Sequence, residues 1–312
     1  MAVSFSIITT TLDRPELLKE AIVSVINQNY DKSLIEHIII DASSKKTAKD
    51  TVEKLSGEVD FAIRYVYMPR VNIPTAINEG IKISTNDVIV ILHDDDLLPP
   101  EALRHAANRF DEFCQRGVDL DIVCGDVAVI RTNHRTNGFI VERVINLNFS
   151  IYDLLFKTPY EPTKFIKRSA FRKIGIFYEK FNYAWHREWL LRAAIMGLSS
   201  SHTRTVCYLF RRHTLSTTLP LIWNEYKRLK WLKEHLLMDK NLISLAKKCN
   251  NQVAITLLKK HLMRESLSGL RLSIKKAKIQ EAAYYAMFPM FVDPALYIKF
   301  IQRKFITSQT LI

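Results

Sequence analysis

The sequence predicts an α/β fold with a mixed, mainly parallel sheet flanked by helices and a C-terminal helical extension. Three observations predict it. Short apolar β-rich runs alternate with helical patterns over the first hundred residues. Polar clusters sit at the ends of three of those runs, where parallel sheets place their ligands. Beyond about residue 220 the chain is helical, basic and poor in Gly and Pro.

The elements follow in order. VSFSIIT (3–9) is a short β-rich run, and Pro15 stands where the first turn of a helix tolerates proline. ELLKEAIVSVINQ then places Leu17, Ile22, Val25 and Ile26 on roughly one helical face. HIIID (37–41) is a second strand ending in aspartate, TAKDTVEKL a helix, AIRYVYM a third strand, PTAINEGIKI a third helix and DVIVIL (87–92) a fourth strand. Short loops between them argue for right-handed βαβ units. Next come a helix (EALRHAANRFDEF), a strand (DIVCGDVAVI) and an extended return strand (NGFIVERVI). FIKRSAFRKIG reads as a strand and a short helix ended by Gly175. YAWHREWLLRAAIMG reads as a helix capped by Gly197, with a strand near 203–210 after it.

The 312 residues are 48% apolar and 25% charged, ordinary values for a globular chain. Apolar runs stop short of the ~20 residues of a membrane-spanning helix. MAVSFSIITT has no basic n-region or cleavage site, so no signal peptide is expected. Cys114, Cys124, Cys207 and Cys249 form no CxxC pair and no zinc spacing, which suggests reduced thiols in a cytoplasmic protein. Neither a Walker A loop nor GxGxxG is present.

The net charge of +13 is uneven. Residues 221–312 hold 17 Lys and Arg against 6 Asp and Glu, a net of +11, whereas the other 220 residues hold 28 against 26. Two regions are therefore expected, 1–217 (itself divided at about residue 100) and a basic helical 218–312. In the basic region, Ile222, Tyr226, Leu229, Trp231, Leu232, Leu236 and Leu237 interleave with Lys227, Arg228, Lys230 and Lys233. Such helices pack on a catalytic domain with solvated basic faces, or dock on an anionic membrane surface. Nucleic acid is the less favoured partner, because no recognised nucleic-acid module accompanies the charge.

VILHDDDLLPP (90–100) carries the most chemistry. Adjacent carboxylates repel, so a cluster at a buried strand end neutralises something. Asp94, Asp95 and Asp96 either cap the next helix or hold a divalent cation, which takes one or two carboxylates plus substrate phosphates.

Six stretches in order, over about residues 4–217, resemble glycosyltransferase family 2 with its nucleotide-sugar-binding GT-A fold: SIITTTLDRPELLKEAIVSVINQNY, HIIIDASS, PTAINEGIKISTNDVIVILHDDDLLPP with its DxD motif, IKRSAFRKIGIFYEKF, WHREWLLRAAIMG and FRRHTLS. The resemblance implies a metal-dependent (Mn²⁺ or Mg²⁺), inverting transfer from a nucleotide-diphosphate sugar, with UDP-sugar expected. The acceptor would be a glycan or lipid-linked sugar in surface polysaccharide synthesis. The enzyme would be cytoplasmic, peripheral on the inner face of the membrane.

The same resemblance assigns roles. Thr11 and Asp13 would line the nucleotide pocket and Asp41 would bond the base. Arg70 either faces the base or is a surface arginine before a turn. Asp94 and Asp95 would face the ribose and metal, Asp96 the metal. His213 would approach the diphosphate or metal, or else stand at the surface beside Arg211 and Arg212. Asn78 either has such a role or only packs.

Departures from the family pattern are informative. His93 stands where an acidic residue is common, and Lys45 and Lys46 replace small or acidic residues, which leaves donor preference open. The family's usual aspartate base falls on His186, six residues before Arg192. His186 can take a proton near neutral pH. Glu188 is the nearest carboxylate, but its spacing to Arg192 suits an i,i+4 ion pair. His186 and Glu188 are therefore both candidate bases. Two competing readings are an inactive GT-A-fold scaffold and a sugar nucleotidyltransferase, although TTTLDRPE is not the Gly-rich loop expected of the latter.

Overall fold

The computed structural model describes residues 2–133, 138–146, 148–157, 163–213, 224–295 and 297–298. These fall into two compact units, one of residues 1–153 and 157–216, the other of 154–156 and 217–312. The Thr214–Ser216 end of FRRHTLS, Ile222 and most of YIKFIQRKF lie outside the described residues.

The first unit is built on one mixed sheet. Its strands are β1 (Phe5–Thr11), β2 (Ile35–Asp41), β3 (Ala62–Tyr67), β4 (Val88–Ile91), β5 (Ile122–Asn133), β6 (Gly138–Ile145), β7 (Lys164–Lys167) and β8 (Ser200–Arg211). The order is β3-β2-β1-β4-β7-β5-β6, with β8 also pairing β5. The β1–β2, β2–β3, β1–β4 and β5–β8 pairs are parallel, and β4–β7, β5–β7 and β5–β6 are antiparallel. The helices of this unit are α1 (Pro15–Ile26), α2 (Lys49–Ser56), α3 (Ile73–Ile83), α4 (Ala102–Gln115), α5 (Ile151–Phe156, shared with the second unit), α6 (Arg168–Ile174) and α7 (Trp185–Ile195). A 3-10 turn at Lys32–Leu34 and the short α5 are additions that no sequence period announced.

Each predicted strand or helix of this unit exists, shifted at most a few residues at its ends. Every residue of β2 and β4 is buried, as expected of central strands that read as continuous apolar runs. Leu18 and Ile22 of α1 pack with Ile39 of β2 and with Val52 and Leu55 of α2. A larger core joins Phe5, Ile7, Val88 and Val90 to Leu103, Ala106 and Phe110 of α4. Gly80 lets α3 lie directly on β1, since a Cβ there would sit 2.5 Å from Ile8 Cγ2.

The second unit holds α8 (Glu225–Lys248), α9 (Gln252–Lys275) and α10 (Ile279–Val292). Asn224 and Asn251 cap α8 and α9 through their side-chain oxygens, which accept from the Lys227 and Ala254 N–H groups. Leu229, Leu232 and Leu236 are buried, while Tyr226 and Leu237 are exposed.

Candidate functional site

Strand β1 has β2 on one side and β4 on the other, all three parallel. This reversal of winding opens a crevice at the carboxyl ends of β1 and β4. Thr11 closes β1, and His93 to Asp96 follow β4.

The two strand ends are joined by side chains. The Thr11 hydroxyl donates to Asp94 Oδ2 at 2.8 Å. Arg14, the residue before α1, donates from Nε to Asp94 Oδ2 at 3.2 Å and from Nη2 to Asp94 Oδ1, and its Nη1 reaches Asp95 Oδ2 at 2.8 Å. His213 Nε2 lies 3.1 Å from the same Asp95 oxygen. Five side chains from three separate stretches thus form one charged cluster. Strand β8 delivers His213 because Leu97 and Leu209 exchange two backbone hydrogen bonds, 3.1 and 2.9 Å, which ties the segment after the aspartates to β8.

The three aspartates differ electrostatically. Burial pushes Asp94 up to about 6, against the pull of Arg14. Asp95 is also desolvated, but Arg14, His93 and His213 hold it below its ordinary value. Asp96 is raised well above its ordinary value by burial and by Asp95 beside it.

The geometry changes the expectation for Asp96. It is buried, and its oxygens accept from the Tyr208 hydroxyl and the Arg211 N–H, each at 2.8 Å. Asp96 fastens the loop to β8, whereas Asp95, 15% exposed, faces outward beside His213. Asp41 likewise has local work. It is fully buried, and it accepts from the Ser43 N–H (2.9 Å), the Ala48 N–H (3.3 Å) and the Tyr65 hydroxyl (2.7 Å). Its structural role is to hold the loop between β2 and α2. Asp13 and Arg70 both have left-handed backbone, φ 55° and 61°. Asp13 accepts from the Thr47 hydroxyl at 3.3 Å, and the Arg70 N–H donates to the Ala42 carbonyl at 3.0 Å. Both residues shape loops at the same sheet edge, without a bond to the aspartates.

The two candidate bases lie on α7, and both are buried. Glu188 accepts from Arg192 through both oxygens, at 3.1 and 3.0 Å. Burial pushes Glu188 above its ordinary value, against Arg192. Arg192 also donates to the carbonyls of Ile174 and Ile176, so the pair nails α7 to the loop after α6. The His186 ring stacks on Trp185 (4.8 Å, 13°) and meets the edge of Phe177 (6.1 Å, 84°). Asn78 of α3 fixes Phe177 in turn. Its amide donates to the Phe177 carbonyl at 2.9 Å and accepts from the Phe177 N–H at 3.1 Å. Asn78 is therefore a positioning residue for the segment that leads into α7.

Arg14 and Tyr208 are the residues that sequence reasoning missed. The signal for Arg14 was available: two adjacent carboxylates at a buried strand end require a cation, and Arg14 shares a loop with Thr11 and Asp13. Among the described residues no group of three His, Cys, Asp or Glu side chains is arranged to hold a metal. Asp95 and His213 are a partial donor set, one carboxylate and one imidazole, which fits an ion whose remaining ligands are phosphate oxygens.

Comparison with known proteins agrees with this architecture. The model of the family described as "Glycosyl transferase family 2" matches residues 6–182. An uncharacterized glycosyltransferase of Mycoplasma pneumoniae is 25% identical over 294 residues, covering 89% of this chain and 87% of its own length. One from Rickettsia typhi is 26% identical over 181 residues, covering 57% of this chain and 54% of its own. Among solved structures, S. aureus TarS 1-349 in complex with UDP-GlcNAc superposes with a TM-score of 0.67 at 15% identity, over 94% of this chain and 82% of that one. The mannosyltransferase PcManGT of Pyrobaculum calidifontis, in complex with GDP-Man and Mn²⁺, gives 0.56 at 14% identity, over 97% and 87%. With the family model spanning more than half of the chain, this protein belongs to glycosyl transferase family 2 and is a GT-A-fold glycosyltransferase.

Proposed function

We propose that the protein transfers a sugar from a nucleotide-diphosphate donor, a UDP-sugar, to a glycan or lipid-linked acceptor, with inversion, in surface polysaccharide synthesis. One observation carries the reading: Thr11, Arg14, Asp94, Asp95 and His213 converge at the β1/β4 crevice. Thr11 and Asp94 line the side toward the ribose, and Asp13, Asp41 and Arg70 shape the loops toward the base. Asp95 and His213 would hold Mn²⁺ or Mg²⁺. The ion would stabilise negative charge on the departing diphosphate. Arg14 offers fixed positive charge at the same place. His186 accepts the proton of the acceptor hydroxyl at an imidazole nitrogen as that oxygen attacks the anomeric carbon. Glu188 is left to its pair with Arg192.

Solved neighbours differ in base, UDP-GlcNAc for TarS and GDP-Man for PcManGT. Thermal-shift titration of UDP- and GDP-sugars, with and without Mn²⁺, tests the donor. The expected result is stabilisation by a UDP-sugar that requires Mn²⁺. Stabilisation by GDP-mannose alone refutes the uridine assignment. A second reading, a donor-binding scaffold without transfer, is favoured by the engagement of both Glu188 oxygens with Arg192. Donor hydrolysis with Mn²⁺, abolished by chelator, refutes that reading.

A further inference from the structure

The last helix presents an apolar face that the fold of its own unit does not use. One side of α10 is docked: Tyr285, Phe288 and Pro289 are buried, the Tyr285 hydroxyl donates to the Leu229 carbonyl at 2.7 Å, and Ser266 donates to the Tyr285 carbonyl. Gly269 of α9 makes room for this, because a Cβ there would meet the Tyr285 ring at 2.3 Å. The opposite side carries Ile279, Ala283, Met287, Met290 and Phe291, all exposed, Ile279 at 82% and Phe291 at 67%. Spacings of three and four residues make them one continuous stripe. Glu281, the one carboxylate of α10, is spaced off this stripe.

Cations and tyrosines border the stripe. Lys233 Nζ lies 5.3 Å from the Tyr284 ring centre, and Lys230 and Lys278 lie 4.7 and 5.4 Å from that of Tyr226, which is exposed. An apolar face with aromatic and basic margins is the pattern of a helix lying in a lipid–water interface. The helix has 14 residues, about 21 Å of rise, and no helix among the described residues is long and apolar enough to cross a membrane. Charge selects the occupant. Residues 221–312 carry a net +11, so a second copy of this surface is repelled, while an anionic leaflet is attracted.

We propose that the exposed face of α10 seats the protein on an anionic lipid surface, with Ile279, Met287, Met290 and Phe291 entering the acyl boundary and the bordering lysines meeting lipid phosphates.

Co-sedimentation of the full chain with vesicles tests this without any sugar donor, so it can fail independently of the transferase reading. Vesicles of phosphatidylcholine alone are compared with vesicles holding about a third phosphatidylglycerol, at low and high salt. The wild type is expected to pellet with the anionic vesicles at least about tenfold more strongly than with the neutral ones, and less at high salt. Met287→Glu with Phe291→Glu abolishes pelleting while circular dichroism and melting temperature stay unchanged. Lys230→Gln with Lys278→Gln weakens pelleting on anionic vesicles only. A wild type that stays in the supernatant overturns the proposal, as does undiminished pelleting of the Met287/Phe291 variant. Light scattering that shows a dimer split by that variant also overturns it, and assigns the face to self-association.

Discussion

Arg14 meets Asp94 side-on, with Nε 3.2 Å from one carboxylate oxygen and Nη2 bonded to the other. Its remaining nitrogen holds Asp95. One guanidinium thus neutralises two adjacent carboxylates, and the pair raises the arginine's own pKa although burial lowers it. Removing it by Arg14→Ala leaves a buried charge uncompensated. Losses for fully buried pairs run to about 3–5 kcal/mol, and the partial exposure of Arg14 reduces the expected loss to about 2 kcal/mol. Mn²⁺ then raises the melting temperature of the variant more than that of the wild type, because a cation replaces the missing charge. Equal Mn²⁺ shifts in both proteins would contradict this account.

Such long-range partners explain what the sequence could and could not reveal. Periodicity found β1 to β4 because central strands are continuous apolar runs, and it brought Thr11, Asp41 and Asp94 to one rim. It could not say which lone pairs were already occupied. Asp96 is claimed by Tyr208 and Arg211, more than a hundred residues later, and Asp41 by Tyr65. Neither partner is spaced in a way that a local pattern would register. The Glu188–Arg192 pair was legible, because i,i+4 neighbours on a helix lie within one turn. The short α5 gave no signal, since six residues complete less than two turns.

Asp95 and Asp96 should therefore separate by phenotype. Asp95→Asn and His213→Ala each raise the Mn²⁺ concentration for half-maximal turnover by about tenfold or more, the scale of losing a metal-site partner. Asp96→Asn leaves that concentration unchanged but destabilises the fold by about 1–3 kcal/mol, because it weakens buried bonds to Tyr208 and Arg211. Metal titrations of activity beside urea melts check both. A large Mn²⁺ effect in Asp96→Asn would return that residue to the metal.

His37 gives the fold an acid limit. Its ring is fully buried, 2.9 Å from the Thr9 hydroxyl, and burial pushes its pKa down to about 3 from the ordinary 6.5. The unfolded chain binds a proton below pH 6.5 that the folded chain refuses until about pH 3. Stability is therefore lost as pH falls through that window. This group alone removes about 1.4 kcal/mol between pH 7.5 and 5.5. His37→Gln keeps a hydrogen-bonding side chain without the titration, so its urea midpoint should fall less over the same interval. Parallel curves for the two proteins would show that His37 does not set the slope.

His186 and Glu188 share a helix turn but should fail differently. Glu188→Gln removes the charge that Arg192 answers with two hydrogen bonds, in a pair nearly free of solvent. The expected loss is about 3 kcal/mol of stability, with turnover of the folded fraction nearly intact. His186→Asn leaves the Glu188–Arg192 pair and the loop it holds in place, so melting should move little. Turnover falls by about 100-fold or more if the ring takes the acceptor's proton, while donor affinity, set at the β1/β4 crevice, is unchanged. Asn78→Ala acts through Phe177 and so lowers turnover together with stability, the mark of a positioning residue. Single-turnover transfer measured beside donor titration separates the three. Full turnover in His186→Asn with loss in Glu188→Gln, both folded, would move the base to Glu188.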